Sequence, residues 1–159
     1  MKSTTVKTNA IRILEQKKAV FQVLSYEPEG VPSGTEAAAI LGRDPAQVFK
    51  TLVTVGRSGT NYVFIIPSAA ELDLKKAAGA SGEKNIAMIK SRELLGLTGY
   101  IHGGCSPVGM KKPFATFLDR SAEACSAIIV SGGKIGLHVE IALPELQKAV
   151  PFQVAGLVC

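Results

Sequence analysis

Two glycine-rich segments hold the groups in this chain best suited to chemistry: His102-Gly103-Gly104-Cys105-Ser106-Pro107-Val108-Gly109 and Ser131-Gly132-Gly133-Lys134-Ile135-Gly136. Each follows a short apolar run, residues 98–101 and 127–130, so each is expected where a strand breaks into a turn. Backbone N–H groups in such a turn stand clear of side chains and can line a pocket for phosphate, ribose or a carbonyl oxygen. Paired glycines also make ordinary tight turns, and one segment alone says no more than that. Lys50 adds a cation. It sits in the apolar, β-branched run 48–55, where alternation puts Val48, Lys50 and Leu52 on one face and Phe49, Thr51 and Val53 on the other. A lysine so placed either meets an anion in a cleft or lays its stem on apolar surface and sends its ammonium to water.

The ordinary catalytic sets are missing. There are two histidines, His102 and His138, and no His-x-x-x-His, Cys-x-x-Cys or Gly-x-Ser-x-Gly pattern, which speaks against a zinc hydrolase and a serine triad. The segment from Gly103 to Lys112 lacks the Gly-Lys-Ser/Thr ending of a P-loop, so nucleoside triphosphate chemistry is not expected. Cys105, beside glycines and near His102, has the surroundings of a nucleophile, but a small buried thiol explains it more simply. No metal or cofactor is called for.

The elements that must position these groups follow from the hydrophobic pattern. A helix is expected after Thr8, ending near Lys18, then a strand over 20–26 closed by Pro28, Gly30 and Pro32. Ser33-Gly34-Thr35-Glu36 is a capping box for a helix that Gly42 stops, and Asp44-Pro45 starts a short helical turn ahead of the strand 48–55. Residues 57–60 make a hairpin turn into 62–67, whose near-continuous apolar run predicts a strand covered on both faces. A short helix over 72–78, a strand over 85–89, a helical turn from Ser91 to Gly96, strands over 99–102, 114–118, 127–131 and 137–142, and a last helix over 144–149 complete the reading. Helices and strands mingle without a regular βαβ repeat. The expected fold is therefore α+β, with short helices flanking one curled, barrel-like, mixed but largely antiparallel sheet.

Composition sets the frame. At 159 residues, 47% hydrophobic and 19% charged, with no linker or internal repeat, the chain is expected to form one domain over residues 1–159. The polar, basic segment 1–7 has no apolar run of the secretory kind, nothing approaches a membrane span, and three cysteines without metal spacing suit reduced thiols. A cytoplasmic address and no membrane partner are expected. Eighteen Lys and Arg against 13 Asp and Glu give a formal charge of +5, which favours a polyanionic partner and serves solubility equally well.

Taken together, Phe49-Lys50-Thr51-Leu52, the segment Gly103 to Gly109 and the segment Val130 to Leu137 resemble the YbaK/EbsC family of trans-editing aminoacyl-tRNA deacylases. Tyr26, the Glu36-Ala37-Ala38 helix and the Val139-Glu140-Ile141 strand fall in family order, so the likeness spans the chain. It implies the fold of the prolyl-tRNA synthetase editing domain and hydrolysis of mischarged tRNA, Cys-tRNA(Pro) above all. It also implies Lys50, Gly103 and Gly104 as the catalytic set, and Tyr26, Thr51, Ser131 and His138 as substrate-binding residues, with no metal and no cofactor. His138 departs from the pattern, since related proteins often carry Asp or Ser there. The implied partners are the acceptor end of a charged tRNA and, as a further candidate, prolyl-tRNA synthetase.

That chemistry suits a chain without a triad. An aminoacyl ester is already activated, so cleavage needs mainly orientation and donors for the charge developing on the carbonyl oxygen. With cysteine as the amino acid, the family likeness implies attack by the substrate's own thiol and departure as a thiolactone. The rival reading is a non-catalytic tRNA- or synthetase-binding module that keeps the pocket without turnover.

Overall fold

A computed structural model of the chain describes residues 7–159; the rest of the polar amino-terminal segment lies outside the described residues. Ala10, Ile11 and Leu14 share one buried face of helix α1 (Asn9–Gln16), and the Thr8 hydroxyl caps it by accepting from the Ile11 N–H at 3.2 Å. Strand β1 (Phe21–Ser25) and helix α2 (Gly34–Leu41) follow. The expected capping box forms: Ser33 Oγ accepts from the Glu36 N–H at 3.2 Å, and the Glu36 carboxylate accepts from the Ser33 N–H at 2.8 Å. Gly42 ends α2, and Asp44 caps a single 3-10 turn, Pro45–Gln47, that delivers the chain into strand β2 (Phe49–Gly56).

A tight turn returns β3 (Asn61–Pro67) antiparallel to β2, with Lys50 opposite Ile66 and Thr51 opposite Ile65. Then come α3 (Leu74–Ser81), β4 (Ile86–Met88), α4 (Leu94–Thr98), β5 (Ala115–Asp119), β6 (Ile128–Lys134), β7 (Leu137–Ile141), α5 (Leu143–Ala149) and β8 (Gln153–Ala155).

The curled, barrel-like, largely antiparallel sheet expected from the sequence does not form. Two separate sheets do: three strands in the order β1-β7-β6, all antiparallel, and five in the order β4-β2-β3-β5-β8. The larger sheet is mixed, because β5 lies parallel to β3 and β8 parallel to β5. Each of those pairings is made by a long excursion of the chain, through α3, β4 and α4 for β5 and through the smaller sheet and α5 for β8. Such crossovers lay strands side by side in the same direction and leave the sheet open, ending on β4 and β8. A barrel would need its edge strands to pair, and here they do not. The class remains α+β.

Four local expectations also change. Residues 99–102 are not a strand: the helix passes Gly96, α4 runs to Thr98, and Gly99 caps it. The second glycine segment is not a turn after a strand; β6 continues through it to Lys134, with a bulge between Ser131 and Lys134 and the turn at residues 135–136. The helix expected over 72–78 is set by the Asp73 cap and runs later, over α3. Strand β8 was not anticipated, since Gln153-Val154-Ala155 is too short for its pattern to register.

The main core packs α1 and the inner faces of β6 and β7 against Phe49, Val53, Val63 and Ile65. A second cluster covers the other face of the larger sheet, where Phe64, Ile66 and Phe117 meet Ala77 of α3. The near-continuous apolar run of β3 is thus covered on both faces, as its sequence requires; Val63 to Ile66 are fully buried. Among the described residues no helix is long and apolar enough to cross a membrane.

Candidate active site

The two sheets share a core, and among the described residues one parallel bridge, between Val48 and Ile129, pairs their backbones; past it β2 and β6 belong to separate sheets and leave a wedge between their edges. A cavity of about 250 Å³ opens in that wedge. Its wall includes Tyr26, Lys50, Thr51, Gly103, Ser131 and His138, so six of the seven residues singled out from the sequence meet around one space. This is below the range of about 300–1,000 Å³ typical of drug-sized ligands.

β2 owes its place there to an edge left bare. β4 pairs only with Thr54 to Gly56, so the first half of β2 has no neighbour on that side. Val53 O accepts from the Ile89 N–H at 3.4 Å and Arg57 donates to Asn85 O at 3.2 Å, which turns the backbone of odd-numbered residues toward this edge. Even-numbered ones face β3, as the 2.8 Å bonds of Ser68 N–H to Val48 O and Gly56 N–H to Thr60 O indicate. Alternation therefore aims the Thr51 N–H into the wedge. The side chains of Lys50 and Thr51 leave opposite faces of the strand, and both reach the cavity because it wraps around the bare edge.

Two polar atoms on the wall stand out. Of the three buried side-chain polar atoms without a hydrogen-bond partner among the described residues, Thr51 Oγ1 and His138 Nδ1 belong to wall residues and Arg43 Nε does not. Such atoms cost roughly 1–3 kcal/mol each unless something pairs with them, so these two residues leave unmet hydrogen-bonding capacity behind the wall of the cavity. Lys50 makes none of the ion pairs found among the described residues. His138 stacks on Tyr26, ring centroids 5.8 Å apart and planes 21° apart. Burial pushes the His138 pKa down, which keeps the imidazole neutral near pH 7, with one nitrogen to donate and one to accept. Burial, helped by the negative charge of Glu36, pushes the Tyr26 hydroxyl up, so it stays a donor.

The glycine segments supply the opposite walls in different ways. Gly103 is exposed at the cavity with φ +86, a left-handed conformation that a side chain would strain, and a Cβ there would also lie 2.6 Å from Val31 Cγ1. Its N–H donates to no backbone carbonyl among the described residues. Gly104 is different. It is buried, it is not on the cavity wall, and its N–H is already spent on Ile101 O at 3.0 Å. Its role is close approach, since a Cβ would sit 2.8 Å from Lys134 Cα and force the two glycine segments apart. Ser131 Oγ accepts from the Gly133 N–H at 3.1 Å, leaving its own proton to donate.

Cys105 also reaches the wall, yet the residue is only 9% exposed and burial pushes its thiol pKa up to about 11, so it is protonated near neutrality and a poor nucleophile. All three cysteines are unpaired. Sequence reasoning missed Ser68, Leu94 and the stretch Pro32-Ser33-Gly34 on the same wall. The signal was there for the last of these: a glycine directly after a helix cap leaves room for a neighbour, and a Cβ on Gly34 would overlap the Ser68 side chain.

Residues 28–149 match the family model of the aminoacyl-tRNA editing domain, and they hold all the cavity residues above except Tyr26. The chain belongs to that family. Among its curated relatives is EbsC of Enterococcus faecalis, named as a candidate Cys-tRNA(Pro)/Cys-tRNA(Cys) deacylase; it is 48% identical over 145 residues, covering 91% of this chain and 88% of EbsC. The crystal structure of a candidate trans-editing enzyme for prolyl tRNA synthetase superposes with a TM-score of 0.84 at 28% identity, over 98% of this chain and 99% of that one. A hypothetical protein of known structure, 23% identical with a TM-score of 0.87, covers 96% of this chain and 100% of its own, and bears on the fold alone. The likeness to the YbaK/EbsC family drawn from Lys50 and the glycine segments thus stands.

Proposed function

We propose that this protein is a trans-editing deacylase that releases the amino acid from mischarged tRNA, with Cys-tRNA(Pro) as its principal substrate. The observation that carries this reading is the pair of unpartnered buried atoms, Thr51 Oγ1 and His138 Nδ1, in a cavity that Lys50, among the described residues, lines as its one lysine. A site of that size takes the aminoacyl ester and its ribose and leaves the body of the tRNA outside. In this reading the N–H groups of Thr51 and Gly103, with the Thr51 hydroxyl, receive the carbonyl oxygen as it gains charge. Lys50 holds the ribose or phosphate region of the terminal nucleotide. The Tyr26 and His138 rings and the Ser131 hydroxyl enclose the amino acid, and Gly104 sets how closely the glycine walls approach.

The substrate brings its own nucleophile. The cysteine sulfur attacks the ester carbonyl carbon, a C–S bond forms, and the tetrahedral centre collapses by breaking the bond to the ribose oxygen. The thiol proton ends on that oxygen, giving free tRNA, and the cysteine departs as a thiolactone that water opens. The protein contributes orientation and charge stabilisation, which for a well-held reactant reaches several kcal/mol. Exposed cations such as Lys90, Arg92, Lys111 and Lys112 meet tRNA phosphates, a contact that salt weakens and that reads no sequence. Selection of the tRNA through prolyl-tRNA synthetase in the cytoplasm fits the same role.

The test is release of labelled cysteine from Cys-tRNA(Pro), with Pro-tRNA(Pro) as control, by the parent and by Lys50→Ala. We expect parent turnover on the cysteinyl substrate and a loss of roughly ten- to a hundredfold in the variant, the scale of one charge-assisted contact to the bound substrate. Release at the parent rate by Lys50→Ala would sink the role given to that lysine. A parent that releases nothing from any charged tRNA would leave a binding module.

A further inference from the structure

Tyr100 is buried at 6% exposure behind the cavity, outside its wall, and the chemistry above does not use it. Its hydroxyl donates to Val108 O at 2.6 Å, and the Ala10 N–H of α1 lies on its other side. Its ring packs on the second glycine segment, where a Cβ at Gly133 would come within 3.1 Å of Tyr100 Cε1 and 2.9 Å of Thr8 Cβ. The same hydroxyl closes on the first segment, at 3.0 Å from a Cβ built on Gly109. Thr8 donates through Oγ1 to Gly132 O, and Asn9 donates through Nδ2 to Gly109 O at 2.6 Å. One residue at the start of α1 is thus tied to each glycine segment, and Tyr100 fills the space between them.

We propose that Tyr100, Thr8 and Asn9 are positioning residues that fix the spacing of the two glycine walls, so that the amino-terminal helix is a working part of the site. Behind the cavity the walls already touch, backbone to backbone, at Gly104 and Lys134. That contact alone is a hinge. The clamp beside it removes the remaining freedom, because a rotation that moved Gly103 away from Ser131 would lift the Tyr100 ring from Gly133 and break the bonds of α1 to the Tyr100 hydroxyl, Gly109 and Gly132. The family match spans residues 28–149, so Thr8 and Asn9 lie ahead of it. Nothing in the clamp reaches the cavity, which makes its effect one of geometry and not of contact.

This inference rests on the deacylase reading, and its test separates the two. Tyr100→Phe keeps the ring and removes the hydroxyl; Thr8→Ala removes one tie, and Thr8→Ser restores it. Deacylation kinetics and amide hydrogen exchange are measured on each variant and on the parent. We expect kcat to fall about tenfold in Tyr100→Phe and Thr8→Ala, the factor of one lost hydrogen bond, with KM within about twofold. Exchange of the amides over 103–105 and 131–134 should quicken together, and Thr8→Ser should return both readings toward the parent. Parent-like kcat and parent-like exchange in Tyr100→Phe and Thr8→Ala would overturn the clamp, as would quickened exchange spread evenly over the chain. If the parent itself shows no turnover, the deacylase reading fails, while coupled exchange of the two segments still decides the clamp.

Discussion

Replacing Thr51 by valine should make the protein more stable and less active at once. Valine matches threonine in shape and in preference for a strand, so β2 keeps its pairing with β3, Thr51 opposite Ile65. What changes is the hydroxyl, which is buried and unpartnered among the described residues. An unmet buried hydroxyl costs roughly 1–3 kcal/mol, so its removal should return about 1 kcal/mol to the free protein. For a domain of this size that corresponds to a rise in Tm of about 2–4 °C. Activity should move the other way. A hydrogen bond to a carbonyl oxygen that is gaining charge is worth about 1.5–2.5 kcal/mol, so kcat/KM should drop roughly ten- to seventyfold. Thermal unfolding and cysteine release from Cys-tRNA(Pro) measure the two effects on one preparation, with Thr51→Ser as the variant that keeps the hydroxyl. A valine variant that is less stable than the parent and as active would refute the reasoning, since the hydroxyl would then be satisfied within the protein and idle toward substrate.

Two further outcomes follow from the wall of the same cavity. Cys105→Ser should keep turnover within a few-fold of the parent, because a thiol pushed up to about 11 by burial is not a nucleophile near pH 7, and a cysteine-release assay at that pH checks it. His138 gives a stability that falls with acid: its folded pKa is lowered by burial, so between the unfolded value of about 6.5 and that lower value the unfolded chain binds the extra proton. This contribution is whole above the unfolded pKa and is lost as pH falls below it. Unfolding of the parent and of His138→Gln at pH 7.5 and pH 5.5 should show the parent losing more stability than the variant, and equal losses would contradict a neutral buried imidazole.

Much of this protein could be read from local pattern. The Thr8 cap, the Ser33 to Glu36 capping box, the Asp44-Pro45 turn and the hairpin of β2 and β3 are each decided by residues within a few positions of one another, and each formed as its sequence dictates. The glycine segments and Lys50 were legible as candidates for the same reason, since residue type and near neighbours mark them. The strand expected before Gly103 was misread because a short apolar run such as residues 98–101 fits a helix end as well as a strand, and Gly99 settles it as a cap.

What the sequence could not decide was set at long range. Whether strands close into a barrel or stay as two sheets depends on which edges meet, and the parallel pairings of β3 with β5 and β5 with β8 join segments about fifty and thirty-five residues apart. The cavity lies where the backbone pairing of Val48 with Ile129 gives way to strands of separate sheets, an arrangement no local pattern encodes. That separation strands the Thr51 hydroxyl and the His138 imidazole without partners, and it assigns Gly103 to the wall and Gly104 to the seam behind it. Residue types by themselves named the groups able to bind an ester; the packing of two sheets determined which of their polar atoms were left with nothing else to bind.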